Sequence, residues 1–585
     1  MISSGFTQKT GSLRAARFCF GLALLLCLLP GQAQLLQPEG ASGFTPHPAA
    51  VGKRYMAVSA NPHATDAALE ILQLGGNALD AAIAAQWVLN VVEPQSSGIG
   101  GGAFLLHWDA TTRRIHAWDG RETAPRAIAP DFGRRSDGSP VPFYEILASG
   151  KAVGIPGLVA ALEAAHHKHG KLKWERLLAP AIRLAENGFP ISLRLYVLLR
   201  DDPLLRQDAA ARALYYETTG EPKAAGSLLR NPELAAMLRR LASEGSTALH
   251  RGEVAEKISA AVRQRGGDLS PDELRDYRPR ERDAVCGSYR RWRVCGMPPP
   301  SSGGIAVLQI LGILERSGLS PDGPESPDAA HRFAEAGRLA YADRARYLAD
   351  PDFVVVPRRE LLAPHYLQQR ARLIDPHTAM GMAMPGELAS NHSLADGDSP
   401  ELPATTHLSI VDQGGNAVAL TSSIESVFGS RIQVAGFLLN NQLTDFSLTS
   451  GRDGKPVANR AEPGKRPMSS MSPTFVFDDT GRLHAVLGSP GGSRIINYVA
   501  RSLLAVLDGG MDPAAALTLG HVGNRNGTTE VELGRVSPGL VSELERRGHT
   551  VQSLDMTSGL HLIVRRKNAW IGAADPRREG VARGE

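Results

Sequence analysis

A threonine stands where a long polar loop meets the first strand of a hairpin. Residues 375–404 are rich in Gly, Pro, Ser, Asn and Asp and carry no steady apolar period, which predicts a mobile loop. Two apolar runs within residues 408–420 flank a Gly-Gly-Asn turn, which predicts a β-hairpin. If the bond between Ala404 and Thr405 breaks, the new α-amine can act as general base for the threonine's own hydroxyl. Thr405 is therefore a candidate N-terminal nucleophile.

Five further segments strengthen this interpretation. They are residues 93–102 (EPQSSGIGGG), 119–125 (DGRETAP), 436–447 (GFLLNNQLTDFS), 465–473 (KRPMSSMSP) and 488–494 (GSPGGSR). With residues 403–412, and in this order, they closely resemble the γ-glutamyltranspeptidase family, which belongs to the N-terminal-nucleophile hydrolases. The resemblance runs from about Met56 to Pro576, so it covers nearly the whole chain.

The order of predicted elements leaves two architectures open. Strand patterns occupy residues 56–59, 104–108 and 115–118, helical patterns dominate residues 150–280, and strands prevail after residue 405 until a final helical pair near 496–508 and 512–520. Strand blocks at both ends could mean separate α and β domains. The family resemblance instead implies one α+β domain, an αββα sandwich of two stacked antiparallel sheets between helical layers. We found no internal repeat and no low-complexity tract.

The resemblance assigns catalytic roles at the junction. Thr405 is the expected nucleophile, the precursor is expected to cut itself between Ala404 and Thr405, and Ser423 is expected to hydrogen-bond the nucleophile. Gly491 and Gly492 follow a strand and present adjacent backbone N–H groups with no side chain in the way, which suits an oxyanion hole. His407 fits a packed strand residue better than a catalyst.

A donor that carries a free α-amino acid needs a cation for its carboxylate and acceptors for its ammonium. Arg121 can hold a carboxylate through two hydrogen bonds, and Ser469 and Ser470 add hydroxyl donors. Gln442 and Asp445, three residues apart, can accept from the ammonium. Their match to the γ-glutamyl site of the family carries these assignments.

Two positions and one segment depart from the common family pattern. Ser423 stands where the family often has Thr, and it keeps a hydroxyl. Glu425 stands where well-studied members have Asn, so it is expected to bind the donor ammonium while adding negative charge beside Asp445. Residues 448–464, where the family can carry a lid, are few and contain no Tyr or Trp, so we expect a more open pocket.

The N-terminus predicts export. Arg14 and Arg17 precede a short apolar stretch and then Pro30-Gly31-Gln32-Ala33, a pattern typical of a secretory signal peptide over residues 1–33. An uncleaved anchor is the alternative. Self-cleavage would then give a large subunit, residues 34–404, and a small subunit, residues 405–585, in the periplasm or the extracellular space.

Charge and cysteine content exclude several other classes. The formal net charge of +4 falls to +1 without Lys9, Arg14 and Arg17, so neither nucleic acid nor a membrane surface is an expected partner. Cys286 and Cys295 flank a predicted hairpin turn, and a disulfide and two free thiols remain equally open. No Cys or His falls at metal-ligand spacing, and the family resemblance implies no cofactor.

The resulting expectation is a γ-glutamyltransferase and glutathione hydrolase, acting on glutathione and other γ-glutamyl compounds with water, amino acids or dipeptides as acceptors. A second possibility is an amidase for glutaryl, cephalosporin-type or poly-γ-glutamate substrates, which Glu425 keeps open. A third is a non-catalytic exported binding protein, which the presence of Thr405 and of the Gly491–Gly492 pair disfavours.

Overall fold

Two seven-stranded sheets form the centre of the fold. The computed structural model describes residues 43–135, 137–319, 324–388 and 393–585, all of which fall in the unit Pro38–Glu585; the predicted signal peptide lies outside the described residues. The strands are β1 Ala50–Gly52, β2 Met56–Ser59, β3 Gly102–Asp109, β4 Arg114–Gly120, β5 Phe189–Pro190, β6 Leu228–Leu229, β7 Arg280–Arg282, β8 Val285–Tyr289, β9 Trp292–Gly296, β10 Thr405–Val411, β11 Ala417–Ser423, β12 Gln433–Val434, β13 Phe437–Leu438, β14 Gly451–Arg452, β15 Lys455–Pro456, β16 Thr474–Phe477, β17 Leu483–Gly488, β18 Val522–Asn524, β19 Thr529–Glu532, β20 Val551–Leu554, β21 His561–Arg566, β22 Ala569–Ala574 and β23 Val581–Gly584.

Both large sheets are antiparallel throughout. The nucleophile sheet has the order β23-β2-β10-β11-β3-β4-β7, and the second sheet has the order β1-β22-β21-β17-β16-β9-β8. Each sheet contains strands from before and from after residue 405. Separate α and β domains are therefore excluded, because neither sheet is complete without both parts of the chain.

Helices cover the outer faces of the two sheets. They are α1 Pro62–Gln73, α2 Ala78–Val92, α3 Phe143–Leu147, α4 Leu158–His169, α5 Trp174–Asn187, α6 Leu193–Asp201, α7 Ala209–Tyr215, α8 Pro232–Glu244, α9 Thr247–His250, α10 Gly252–Gln264, α11 Pro271–Asp276, α12 Gly303–Arg316, α13 Pro327–Tyr347, α14 Arg358–Leu361, α15 Pro364–Ala371, α16 Ile495–Leu507, α17 Pro513–Thr518 and α18 Pro538–Arg546. None of these helices is long and apolar enough to cross a bilayer.

The alternation of side chains along the strands separates two cores. Leu408 and Ile410 of β10 and Leu105 of β3 pack with α1, α2 and α4 in one core. Phe104 and Val411, from the other faces of the same strands, pack with the second sheet and with α12, α13 and α16. Because successive strand residues point to opposite faces, this division gives the layer order helix, sheet, sheet, helix. The expected αββα sandwich is confirmed.

The helices that cover the nucleophile sheet begin at sequence signals. The Asn61 side chain accepts a hydrogen bond from the backbone of His63, and Pro62 occupies the first helical position of α1. Asn77 and Asp80 form a reciprocal capping box at the start of α2. These caps set the bounds of the two helices that the Ala- and Leu-rich segment predicts.

The structure corrects one expectation and settles another. The helical pair at residues 495–507 and 513–518 is not the last, because α18 and the strands β18–β23 follow it. Cys286 and Cys295 lie opposite each other in the β8–β9 hairpin and form a disulfide, with an S–S distance of 2.07 Å. The free-thiol alternative is therefore wrong.

Candidate active site

The junction between Ala404 and Thr405 lies at the edge of the space between the two sheets. Thr405 is the first residue of β10 and pairs with Ser423, the last residue of β11. The described residues 375–388 and 393–404 contain neither helix nor strand, which agrees with the predicted loop. Thr405 is 3% exposed and Ala404 is fully buried, so the peptide bond between them is held inside the protein.

The Ser423 hydroxyl makes hydrogen bonds on both sides of the Ala404–Thr405 peptide bond. The Ser423 Oγ donates to the carbonyl oxygen of Ala404 over 2.8 Å and accepts from the backbone N–H of Glu425 over 2.8 Å. Thr405 Oγ1 donates to the same Ser423 Oγ over 3.3 Å. A hydroxyl has one hydrogen and two lone pairs, so these three contacts use its full capacity. Ser423 therefore touches the expected nucleophile and the carbonyl group that the nucleophile would attack.

The backbone and neighbours of Thr405 are also fixed. Arg578 Nη1 donates to the Thr405 carbonyl oxygen over 3.0 Å. Thr406 faces the helical layer and donates its hydroxyl to Glu93 Oε2 over 2.7 Å. Burial raises the pKa of Glu93 to about 7. These contacts fix the positions of the first two residues of β10.

His407 lies between the sheets and bonds hydroxyl groups. Its Nδ1 lies 2.8 Å from Thr421 Oγ1, and its Nε2 lies 3.1 Å from Ser409 Oγ. Burial and the nearby His561 ring hold the pKa of His407 well below its usual value. The ring is thus a packed, neutral strand residue, as the sequence indicates.

The two adjacent glycines follow β17 and lead into α16. Gly491 has φ 136° and Gly492 has φ 57°, both in the region that favours glycine. A Cβ on Gly491 would lie 2.6 Å from the Tyr498 ring, and one on Gly492 would lie 2.8 Å from the Leu402 carbonyl oxygen. Side chains are excluded at both positions, so this backbone can approach a neighbouring oxygen closely.

A small polar pocket joins these groups to the other expected site residues. Its empty volume is about 240 Å³. The lining residues are Arg121, Glu401, Leu402, Thr405, Ser423, Glu425, Gln442, Asp445, Ser469, Ser470, Met471, Gly492 and Ile495. All sequence-predicted site residues line it except Ala404 and Gly491, which adjoin Thr405 and Gly492.

Arg121 and Asp445 form a buried ion pair at one wall of the pocket. Arg121 Nη2 lies 2.5 Å from Asp445 Oδ2, and the guanidinium also donates to the carbonyl oxygens of Pro467 and Met468. Gln442 and Asp445 share one 3₁₀ turn, and Gln442 Nε2 donates to Asp445 Oδ2 over 2.6 Å. Gln442 Oε1 and Asp445 Oδ1 are buried with no hydrogen-bond partner among the described residues. The pocket thus contains two unused acceptor oxygens.

Glu425 lies in a strained turn next to the nucleophile. Its φ is 79°, which is uncommon for a residue with a side chain. Its Oε1 accepts from the backbone N–H of Leu402 over 2.9 Å, and its Oε2 accepts from Asn441 Nδ2 over 2.5 Å. Burial and the charge of Asp445 raise the pKa of Glu425 well above its usual value. Burial also raises the pKa of Asp445, against the opposing charge of Arg121.

The chain that precedes the junction forms part of the pocket wall. Glu401 forms a buried ion pair with Arg344 of α13, and Arg344 also donates to Ser470 Oγ over 3.0 Å and to Ser302 Oγ over 2.9 Å. Burial lowers the pKa of Arg344 to about 10. Sequence reasoning missed Arg344, Glu401 and Asn441. The sequence carries no signal for Arg344, because α13 contains several other charged residues.

Residues 448–464 contribute nothing to the pocket wall. None of them, all of which the structure describes, lines the pocket, so this segment forms no lid there. In the continuous chain, Glu401 and Leu402 form part of the wall instead. The hairpin of β14 and β15 in this segment is exposed.

Comparisons with known proteins agree with this geometry. The sequence model of the gamma-glutamyltranspeptidase family matches residues 64–585. The chain is 35% identical to the glutathione hydrolase proenzyme of Bacillus subtilis strain 168 over 546 residues, 91% of this chain and 92% of that protein. It is 36% identical to the glutathione hydrolase proenzyme of Escherichia coli K12, over 90% of each chain.

A solved structure has the same fold. The cephalosporin acylase of Bacillus halodurans superposes with a TM-score of 0.80 at 27% identity, covering 92% of this chain and 97% of that one. The family match spans most of the chain, and both proenzymes are similar over nearly their full lengths. The chain therefore belongs to the γ-glutamyltranspeptidase family of N-terminal-nucleophile hydrolases.

Proposed function

We propose that the chain is a γ-glutamyltransferase and glutathione hydrolase, made as a precursor that cuts itself before Thr405. In the first step Thr405 Oγ1 attacks the carbonyl carbon of Ala404. The C–N bond breaks, the nitrogen takes the hydroxyl proton, and an ester joins Ala404 to the threonine side chain. Water then hydrolyses the ester, which leaves a carboxylate on Ala404 and a free hydroxyl and α-amine on Thr405. The hydrogen bond from Ser423 to the Ala404 carbonyl supports this route.

After the cut, the same Thr405 hydroxyl attacks the γ-glutamyl donor. The Thr405 amine accepts the proton as the oxygen attacks the γ-carbonyl of a γ-glutamyl amide, and it returns the proton to the departing amine. The backbone N–H groups of Gly491 and Gly492 stabilise the oxyanion. The resulting ester then reacts in one of two ways. Water hydrolyses it and releases glutamate, or the amine of an amino acid or dipeptide attacks it and accepts the γ-glutamyl group.

The observation that carries the proposal is the pair of unused acceptor oxygens in the pocket of Thr405. Gln442 Oε1 and Asp445 Oδ1 are buried without a partner among the described residues, and the cost of leaving buried acceptors unsatisfied favours a ligand that donates to them. A donor ammonium would satisfy both. Arg121, Ser469 and Ser470 then receive the α-carboxylate, with Glu425 beside the ammonium.

Before the cut, residues 401–402 occupy the place of the donor. Glu401 forms an ion pair with Arg344, and the backbone N–H of Leu402 donates to the Glu425 carboxylate. A cut after Ala404 frees this segment at one end, so it can withdraw and leave Arg344, Ser470 and Glu425 facing the donor. The proenzyme is thus inactive toward donors for a steric reason as well as a chemical one.

We propose further that the protein is exported. The predicted signal peptide and the Cys286–Cys295 disulfide support this location, because disulfides persist in oxidising compartments. Residues 34–404 and 405–585 would be the large and small subunits of the exported enzyme.

A glutaryl or cephalosporin acylase is the second candidate. The likeness to the cephalosporin acylase of Bacillus halodurans favours it. A glutaryl group lacks the ammonium that Gln442 and Asp445 would receive, so the pocket supports it less well.

One experiment separates the candidates. The purified, cut protein is assayed with a γ-glutamyl anilide and a glutaryl anilide, and N-terminal sequencing identifies the small subunit. We expect a small subunit that begins at Thr405 and a clear preference for the γ-glutamyl donor. Thr405→Ala should abolish both cleavage and turnover. A preference for glutaryl would establish the acylase instead, and a cut elsewhere would reject Thr405 as nucleophile.

A further inference from the structure

A second cluster of reactive side chains lies on the outer face of the nucleophile sheet. His116 of β4, His169 at the end of α4 and Glu281 of β7 place one potential ligand atom each within 4.8 Å of one another. His116 Nδ1 lies 2.8 Å from Glu281 Oε1. The His116 and His169 ring centroids are 4.2 Å apart. Two imidazoles and a carboxylate form a donor set that zinc accepts.

The sheet register brings these residues together. His107 of β3 is directly opposite His116, and Glu281 is opposite Trp118, two residues from His116 on the same face. Leu105 lies two residues from His107 and therefore on the same face of β3. Because Leu105 packs in the core with α4, this is the face of the sheet that α4 covers. The ligands are far apart in the sequence, which is why ligand spacing gives no sign of them.

One ring nitrogen in the cluster and one beside it have no hydrogen-bond partner in the described part of the chain. His169 Nε2 and His107 Nδ1 are buried and make no hydrogen bond with any described residue. The His107 ring is 97% buried, and its centroid lies 4.9 Å from that of His169.

We propose that His116, His169 and Glu281 bind a zinc ion, with a fourth position left for water. This proposal is independent of the activity proposed above. Zinc–nitrogen and zinc–oxygen bonds of about 2.0–2.1 Å would place tetrahedral ligand atoms about 3.3 Å apart. The cluster reaches this arrangement by side-chain rotation, since the zinc replaces the proton between His116 and Glu281. Lys168 pairs with the other oxygen of Glu281 and orients its carboxylate.

An open groove gives the ion a path to the site. His116 and Glu281 line a groove of about 1050 Å³ together with Arg114, Arg282, Pro298 and Asp352. The site is remote from the nucleophile, because His107 lies five residues, or roughly 17 Å, along β3 from Gly102, which is paired with Ser423. The ion would tie β4, β7 and α4 together, so its effect is on stability and not on the chemistry at Thr405.

The test uses the cut protein without an affinity tag. After treatment with a chelator and dialysis, Zn²⁺ is titrated by calorimetry, and retained zinc is counted by mass spectrometry. The variants are His169→Ala and Glu281→Gln. The control is His167→Ala, since His167 lies on the same helix with a side chain that is 74% exposed and outside the cluster.

We expect one zinc per chain in the wild type and in His167→Ala, with affinity at least tenfold lower in His169→Ala and in Glu281→Gln. Zinc should raise the melting temperature of the wild type by a few degrees and leave that of the two variants unchanged. Turnover should be equal in all four proteins. Absence of stoichiometric binding to the wild type, or equal affinity in the control and both variants, would overturn the proposal. Melting curves without metal establish that each variant is folded.

Discussion

The Ser423 hydroxyl oxygen lies 2.8 Å from the carbonyl oxygen of Ala404 and donates its hydrogen to it. The Thr405 hydroxyl lies on the other side of the same serine, 3.3 Å away. A donor on the carbonyl oxygen stabilises negative charge there as the carbonyl carbon is attacked. Ser423 is thus placed to assist the cut before Thr405, in addition to holding the nucleophile.

Ser423→Ala should slow self-cleavage. Loss of one donor to a developing oxyanion costs about 10²–10³ in rate, and we expect the half-time of precursor disappearance on denaturing gels to lengthen by about that factor. Ser423→Thr, which keeps the hydroxyl, should cut at a rate near that of the wild type. Equal rates for Ser423→Ala and the wild type would show that this hydrogen bond does not contribute to the reaction.

Arg121→Lys should weaken γ-glutamyl donors without affecting the cut. Lysine keeps the charge but loses the planar group that reaches Asp445, Pro467 and Met468 together. Charge-assisted hydrogen bonds contribute about 2–3 kcal/mol in a sheltered site, so kcat/KM for a γ-glutamyl anilide should fall roughly 30- to 150-fold.

The control for that variant is its own processing. The Arg121 guanidinium donates to Asp445, Pro467 and Met468 and not to the bond that is cut, so precursor and subunit bands should match those of the wild type. Wild-type donor kinetics in a correctly cut Arg121→Lys protein would assign the α-carboxylate to another cation, and Arg344, which contacts Ser470, would be the next to test.

Local sequence patterns predict most of the elements that carry the site. The apolar alternation around the Gly414–Asn416 turn predicts the β10–β11 hairpin, and the Ala-rich pattern of residues 62–92 predicts α1 and α2. The short helix α18, Pro538–Arg546, was not predicted, although Ser537 caps it and Pro538 occupies its first position. Both sheets combine strands from the two sides of residue 405 through pairings between distant parts of the chain. Local patterns do not predict such pairings, so the sandwich was expected only from the family resemblance.

Contacts between residues far apart in the sequence could not be predicted from the sequence. Arg344 and Glu401 are 57 residues apart and become partners only because α13 packs beside the pocket. The clustering of His116, His169 and Glu281 likewise depends on the register of β4 and β7 and on the position of α4. The sequence also gives no sign that Glu401 and Leu402 line the pocket before the cut.

Glu122→Gln should remove a pH-dependent loss of stability. Burial raises the pKa of Glu122 in the folded protein to about 8, above its ordinary value of 4.5. Between these pH values the folded state keeps a proton that the unfolded chain has lost, so stability falls as pH rises from about 4.5 to 8. Glutamine carries no charge, so Glu122→Gln should melt about 2–5 °C above the wild type at pH 8 and near it at pH 5.

The measurement for Glu122 uses melting curves in the Thr405→Ala precursor, which keeps one chain. The exposed Glu145 provides the control for loss of a negative charge, as Glu145→Gln. A difference between Glu122→Gln and its parent that is the same at both pH values would show that Glu122 does not gain a proton on folding.

Glu425→Asn should change the choice of acyl donor more than the rate. Burial and Asp445 raise the pKa of Glu425, so part of its charge is already suppressed, and Asp445 with Gln442 Oε1 remains to receive the ammonium. We therefore expect kcat/KM for the γ-glutamyl anilide to stay within roughly tenfold of the wild type. Removal of an acid should favour the glutaryl anilide, which has no ammonium, so the ratio of glutaryl to γ-glutamyl kcat/KM should rise. Asp445→Asn is the matched comparison and should lose more than tenfold with the γ-glutamyl donor, because it also deprives Arg121 of its partner. If the ratio of glutaryl to γ-glutamyl kcat/KM is the same in Glu425→Asn and the wild type, Glu425 does not contact the acyl group. Its carboxylate would then only accept hydrogen bonds from Leu402 and Asn441.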